Sequence, residues 1–366
     1  MVASARQARV ADQRTTRPQD VYTTKVFARG DWDRDHASAR RTSSLLAAEA
    51  ASAFTTVLST IDREARRAGR TVPTEQERSA VVKEFWDGLI PMLKLIERGL
   101  SGTELDDVRR NLRNALNPWL LRGRYWNRSF VKPHGYAGDF RILEWMYDLE
   151  LDECADRSQP ALVNLLDELF RSVHSVQAVW HRREWFSQLI ANAWTTTDAT
   201  VRLLDVACGG SRYIRDVIDR YGPAAVDATF VDQDPAALAF VESWLEARGN
   251  PLARLICAPV RELTEALASD GRRFDIVIAT GVCDYVDDRT AVDLVSQMAA
   301  LVRPGGAIAI SNFSPDDESR IVKDWILDWP LVYRDRLRLA DLFGSNLTPG
   351  LSQSPDGAVL YAKASS

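Results

Sequence analysis

LLDVACGGSRYI, residues 203–214, is the stretch on which the fold turns. Apolar residues lead to Asp205. Four small residues then follow Val206 (Ala207, Cys208, Gly209, Gly210), and a helical pattern begins at Ser211. A short apolar run ending in a glycine turn and a helix reads as a buried strand entering a βα unit, with a turn that lets a ligand approach the backbone.

Downstream, the same grammar repeats. Strands are expected at 202–206, 228–232, 253–257, 274–279 and 307–311, with helices at 212–221, 235–248, 260–268 and 289–302 between them. Strands joined by helices imply an α/β fold, a mostly parallel doubly wound sheet with right-handed crossovers. The end of the chain offers a helix (LRLADLFG, 337–344), a Pro355-Asp356-Gly357 turn and a final strand. An antiparallel last strand suits the edge of such a sheet.

Upstream, residues 39–195 are helical in pattern. SSLLAAEAASAFTTVLSTIDREARRAG (43–69) has apolar residues at helical spacing and ends in basic residues and a glycine. TEQERSAVVKEFWDGLIPMLKLIERGLSG (74–102) opens with a Thr-x-x-Glu capping box. RGRYWNRSFVKPHGYAGDFRILEWMYDLE (122–150) differs: aromatics crowd around Lys132-Pro133 and two glycines, which suggests a loop folded onto something. The first 38 residues are polar and arginine-rich, and a loosely docked tail is expected there. Three parts follow: a tail (1–38), a helical cap (39–195) and an α/β domain (196–366).

The chain has 366 residues, is 46% hydrophobic and carries a formal net charge of -5. That supports a sizeable core and argues against a nucleic-acid partner. Cys154, Cys208, Cys257 and Cys283 form no CxxC pair, as in a cytoplasmic protein with reduced thiols. Four histidines without an HxxxH pair argue against a metal site. No uninterrupted apolar run reaches the roughly 18 residues of a membrane helix, and no signal-peptide pattern opens the chain.

Three ligands suit a strand–turn–helix of this kind. A phosphate loop needs a lysine and a Ser/Thr after its last glycine, but Gly210 is followed by Ser211-Arg212. A dinucleotide turn wants GxGxxG, which ACGGSRY lacks. S-adenosylmethionine asks for an acid opening the turn, small residues through it and a second acid at the next strand's tip. Asp205, then Ala207 and Gly209, then Asp232 supply these, and a carboxylate at Asp232 can accept both ribose hydroxyls. Gln233 beside it, Val260 after the third strand and Gly281 after the fourth complete the expected cofactor set. Asp234 before Pro235 reads as a helix cap, and Asp284 and Tyr285 face either cofactor or substrate.

LLDVACGG (203–210), FVDQDP (230–235), FDIVIATGVCDYV (274–286) and LVRPGGAIAISNF (301–313) together resemble the class I S-adenosylmethionine-dependent methyltransferases, with a Rossmann-like sheet. RSFVKPHGYAGDFRILEWMYD (128–148) and NFSPDDESRIVKDWILDWPLVYRD (312–335) resemble a bacterial subgroup that includes the 3-hydroxypalmitic acid methyl ester synthases. Carboxyl methyltransferases of β-lactone dipeptide biosynthesis, the cystargolide and belactosin type, look similar. His134 stands where the subgroup usually has arginine.

The resemblance implies esterification of a carboxylic acid, either a small branched diacid such as isopropylmalate in secondary metabolism or a 3-hydroxy fatty acid. A carboxylate is ionised at neutral pH and needs no base; it needs alignment and cationic or hydrogen-bonding groups. Tyr125, Arg128, Lys132, Asn312 and Trp329 are the expected substrate-binding residues, and His134, Tyr136, Tyr285, Tyr333 and Arg334 the expected catalytic ones. Of the adjacent Arg182 and Arg183, Arg183 is assigned to the cofactor's carboxylate. Asp139 reads equally as a helix cap or a lid contact. A phenol or alcohol methyltransferase with His134 as base is the alternative enzyme, and a cofactor-holding regulator the non-enzymatic one. The helical region reads as a cap or as a dimer arm, which leaves a homo-oligomer open.

Overall fold

The computed structural model describes residues 36–151, 156–197, 199–249, 253–268 and 271–365. The tail expected at 1–38 therefore lies almost wholly outside the described residues, as does Cys154. Seven strands form one sheet in the order β3-β2-β1-β4-β5-β7-β6. They are β1 (Val201–Val206), β2 (Val226–Asp232), β3 (Arg254–Cys257), β4 (Phe274–Ala279), β5 (Val302–Phe313), β6 (Gly350–Gln353) and β7 (Val359–Ser365). The first five are parallel, and β7 runs antiparallel to both β5 and β6. The antiparallel last strand agrees with expectation. β6 was not foreseen: GLSQ has too little apolar content to announce itself, and it pairs only because the Pro355–Gly357 turn folds it back on β7.

Side chains along a strand alternate between faces, so consecutive apolar residues serve two cores. Leu203, Phe230 and Ile276 face one layer, with the helices His174–Thr197, Arg212–Tyr221 and Pro235–Glu246. Leu204, Val231 and Val277 face the other, with Leu263–Leu267, Asp288–Leu301 and Arg336–Asp341. The sheet is thus wound on both sides.

The N-terminal helices run α1 (His36–Arg67), α2 (Glu75–Lys83), α3 (Ile90–Glu97), α4 (Gly102–Leu120), α5 (Arg124–Val131), α6 (Phe140–Leu151), α7 (Ala161–Arg171) and α8 (His174–Thr197). The Thr74 capping box forms in full: the Glu77 N–H donates to Thr74 Oγ1 at 3.2 Å, and the Thr74 N–H donates to the Glu77 carboxylate at 2.7 Å. A π-turn over Glu84–Leu89 precedes Pro91, whose missing N–H breaks the regular ladder there. α1 from Thr42 to Arg67 is long and apolar enough, by length and composition, to cross a membrane, although no uninterrupted apolar run does so. Its stripe Ala47, Ala51, Phe54, Leu58 and Ile61 is buried. The core on this side is continuous, from Leu46 and Phe54 through Trp126 and Phe170 to Leu203 and Tyr361. The helical region is fastened to the sheet by shared apolar packing rather than by a linker.

The strand order reverses between β1 and β4, which opens a crevice at their carboxyl ends. The segment after α5 and the first turns of α6 lie over it.

Candidate functional site

The crevice holds a cavity of about 260 Å³. Its floor is the turn after β1. Ala207 and Gly209 both take left-handed backbone angles, φ 53° each. The Cys208 N–H donates to Val231 O at 3.1 Å, and the Gly209 N–H donates to Asp232 Oδ2 at 2.8 Å, which ties the turn to the tip of β2. The Asp234 N–H donates to the other Asp232 oxygen at 2.9 Å. Burial pushes the Asp232 carboxyl up from its ordinary value. Ala207, Gly209, Asp232, Gln233, Val260 and Gly281 all line the cavity.

Asp205 does not. It is fully buried behind the turn, where Ser211 Oγ donates to it at 2.6 Å and the Tyr213 hydroxyl at 2.7 Å. Burial without a cationic partner pushes its carboxyl up to about 7. Its service is to the shape of the turn. Arg183 is likewise turned away, bonding Asp216 at 2.5 Å, while the neighbouring Arg182 faces the cavity beside Gly281. The helical period puts adjacent residues about 100° apart, so only one of the pair can look inward.

The roof is the segment between α5 and α6. Lys132 turns the chain with φ 53° and closes α5. Asp139 is both cap and lid contact: it accepts the Ile142 N–H at 2.9 Å and pairs with Arg128 at 3.1 Å. Asp234 also does more than cap its helix. It accepts the Ala236 N–H at 2.9 Å and the Tyr136 hydroxyl at 3.0 Å, and His134 Nδ1 lies 3.2 Å from the same carboxylate. This latches the lid to the rim of the sheet. Gly138 (φ 71°) lies so close to the pair formed by Tyr285 and Trp329 that a Cβ would collide with the Tyr285 hydroxyl and stand 2.7 Å from Trp329 Cζ2. Trp329 Nε1 donates to that hydroxyl at 3.1 Å.

Tyr136, Tyr285 and Trp329 thus line the cavity, and several other expected residues do not. His134 stacks edge-on against Phe140 behind the latch. Tyr125 stacks on Phe170 in the core, Arg128 is spent on Asp139, and Lys132 Nζ reaches the carbonyls of Phe130 and Leu327. Arg334 is fully buried and donates to Asp288, the Cys283 and Val286 carbonyls and Asn312 Oδ1. Asn312 donates to the Val332 carbonyl, and the Tyr333 hydroxyl to Asp324. Arg334 and Asn312 thus brace the loop after β4, and Tyr333 braces the turn that carries Asp324; none of the three lines the cavity.

The inner end of the cavity carries residues that sequence reasoning missed. Met146, Phe170, Val173, Val176, Val179 and Leu327 make it apolar. Into it look two buried cations, Arg182 and Lys323. Lys323 Nζ lies 3.5 Å from the centre of the Phe313 ring and 2.6 Å from Asp317 Oδ2. Asp317 is otherwise satisfied by Ser175 and Ser319. Burial lowers the Lys323 ammonium from its ordinary value. Asp284 sits between the cations: it accepts the Phe313 N–H at 2.7 Å, lies 3.4 Å from Arg182, and is pushed up to about 6 by burial.

Residues 203–306 match the family model described as "Methyltransferase domain". The cofactor of such a domain is S-adenosylmethionine. Among curated proteins, the chain is similar to a ubiquinone biosynthesis O-methyltransferase of Cereibacter sphaeroides, 28% identical over 134 residues, 35% of this chain and 49% of that protein. It is also similar to one of Brucella melitensis, 30% identical over 115 residues, 31% of this chain and 42% of that protein. The chain thus spans less than half the length of these relatives. Among solved structures, a possible exported protein from Bordetella parapertussis shares the fold at a TM-score of 0.54 and 15% identity, covering 85% of this chain and 96% of that one. The match extends the likeness of fold to the helical region.

The cavity fits the cofactor on its own geometry. The left-handed turn at Ala207 and Gly209 exposes backbone without side chains in the way, and Asp232 presents a carboxylate at the tip of β2.

Proposed function

We propose that this protein transfers the methyl group of S-adenosylmethionine to a carboxylate, giving a methyl ester of an acid with an apolar body. The observation that carries this reading is Lys323, a buried ammonium opening onto the apolar end of the cavity. Asp317 takes one of the three N–H donors of that ammonium, and an acceptor's acid oxygen can take another.

The cofactor, when bound, supplies an electrophilic methyl on a sulfonium centre. The remaining work falls to the chain. Asp232 accepts the ribose hydroxyls, with Gln233 and Val260 flanking the base. Arg182, beside Gly281, holds the methionyl carboxylate. Lys323 holds the acceptor's carboxylate, and the apolar inner wall holds its body. Tyr136, Gly138, Tyr285 and Trp329 close the roof and exclude water, which strengthens each of these charge contacts. No base is needed, because the acceptor arrives ionised. Both a small branched diacid and a 3-hydroxy acid remain within this class; secondary metabolism and a cytoplasmic setting suit the first.

Lys323→Gln tests it. The KM for an acid acceptor should rise about tenfold or more, the loss of one charge-assisted bond, while affinity for S-adenosylhomocysteine stays unchanged. An unchanged KM would remove Lys323 from the acceptor site.

One observation favours a second reading. Asp284 lines the cavity with a carboxyl pushed up to about 6, suited to take a proton from a hydroxyl acceptor. Methylation of phenols but of no acid in a mixed panel would support it against the first. His134, the base expected from sequence, is held behind the latch by Asp234.

A further inference from the structure

Glu144 on α6 is buried and lines the cavity, and its two oxygens are treated differently. Oε2 accepts from Arg212 Nη1 at 3.0 Å and pairs with Arg215. Among the described residues Oε1 has no hydrogen-bond partner, and it has no contact with solvent. It lies against the glycine turn: a Cβ at Gly210 would collide with Oε1 and stand 3.0 Å from Cδ. A buried acceptor left unpaired is costly, more so on a carboxylate, and because Glu144 lines the cavity a small turn of its carboxylate brings Oε1 to a donor seated there.

The acid that opens the turn is not available for that donor's charge. Both oxygens of Asp205 are taken up by Ser211 and Tyr213, behind the turn. Two guanidinium groups stand at Oε2: Arg212, which also reaches Asp148 at 3.2 Å and Asp216 at 3.6 Å, and Arg215, so Oε1 is the oxygen of Glu144 that they leave open.

We propose that Glu144 Oε1 accepts from the α-ammonium group of S-adenosylmethionine, so that a residue of the helical region, not the acid after β1, recognises the amino-acid end of the cofactor. The proposal rests on the cofactor reading above. α6 is capped by Asp139, and Asp139 follows Gly138 of the roof, so the helix that carries Glu144 is continuous with the roof.

The test is calorimetric and needs no turnover. S-adenosylhomocysteine is compared with its des-amino analogue, 5′-S-(3-carboxypropyl)-5′-thioadenosine, which keeps the carboxylate and lacks the ammonium. Wild type should prefer the amino ligand by about tenfold or more, as for a charge-assisted hydrogen bond. In Glu144→Ala that preference should fall to about twofold, with affinity for the des-amino ligand kept. Glu144→Gln, which retains an acceptor oxygen and a near-native shape, should fall between. Equal loss of both ligands in the variants would make Glu144 a structural residue and overturn the inference. So would a full preference retained in Glu144→Ala, or a wild type with no preference at all. A retained preference together with a raised KM for an amino-bearing acceptor alone would move the ammonium to the acceptor. Wild type binding neither ligand would instead overturn the cofactor reading.

Discussion

Gly138→Ala isolates the roof. The native residue has φ 71°, a region that costs an alanine about 1–2 kcal/mol. The larger effect is steric. The new Cβ would stand 2.7 Å from Trp329 Cζ2, against about 3.7 Å for ordinary contact, so something must move by about 1 Å. Trp329 is poorly placed to yield: its side chain donates to Tyr285 at 3.1 Å and its backbone N–H to the Lys323 carbonyl at 2.8 Å. The lid segment moves instead. A misplacement of that size at a reacting centre costs about 100-fold. We therefore expect kcat/KM on the best acceptor to fall by about two orders of magnitude. The melting temperature should drop by only a few degrees, since about 1–2 kcal/mol spread over a chain of this size moves it little. Affinity for S-adenosylhomocysteine should change by less than about threefold, as for a site whose own contacts are intact. Adding Tyr285→Phe removes the atom that is struck hardest and should recover part of the loss. A Gly138→Ala enzyme with wild-type kcat/KM would refute the reasoning, as would a double variant whose losses simply add.

Asp232→Ala should weaken S-adenosylhomocysteine by about 10- to 100-fold, the value of a hydrogen-bonded charge; calorimetry giving wild-type affinity would take the ribose contact away from this residue. Asp205→Asn addresses the buried carboxyl behind the turn. Its folded value near 7 lies above its ordinary value, so the native state holds a proton that the unfolded state releases. Wild-type stability should decline as pH rises between about 4 and 7, by up to about 4 kcal/mol for a shift of about three units. Asparagine removes that loss, so the variant's melting temperature should gain on wild type from pH 5 to pH 8; a gap that does not change with pH would contradict the burial argument.

The sheet was legible because its signals are local. Five apolar runs of strand length, each followed by a turn and a helical pattern, leave few alternatives, and the reversal of strand order then places the crevice at Asp205–Gly210. The rim of the cavity was legible for the same reason: Asp232 ends β2 and Gly281 follows β4, and strand ends in such a sheet face the crevice. The apolar inner end of the cavity was not. Lys323 lies in VKDWI, where a charge within a short helical stretch reads as solvent-facing; only the packing of that turn against Ser175 and Phe313 buries it. Glu144 lies in the midst of FRILEWMYD, and its contact with Gly210 spans 66 positions. Asn312, Tyr333 and Arg334 failed in the opposite direction. Polar residues in a distinctive stretch read as chemistry, yet here Arg334 and Asn312 brace the loop after β4 and Tyr333 the turn at Asp324. A pattern of residues shows that they act together, not on what.

The central claim, methyl transfer to a carboxylate, is tested most directly with S-adenosylmethionine labelled with deuterium on its methyl group. Purified protein would be given isopropylmalates, simple diacids, 3-hydroxy fatty acids and phenols, and the products followed by mass spectrometry before and after mild base. The account predicts an acid that gains one labelled methyl and gives it up in base as labelled methanol, while the phenols are left unchanged. A label that goes only to phenols, or that survives base on every product, would contradict it.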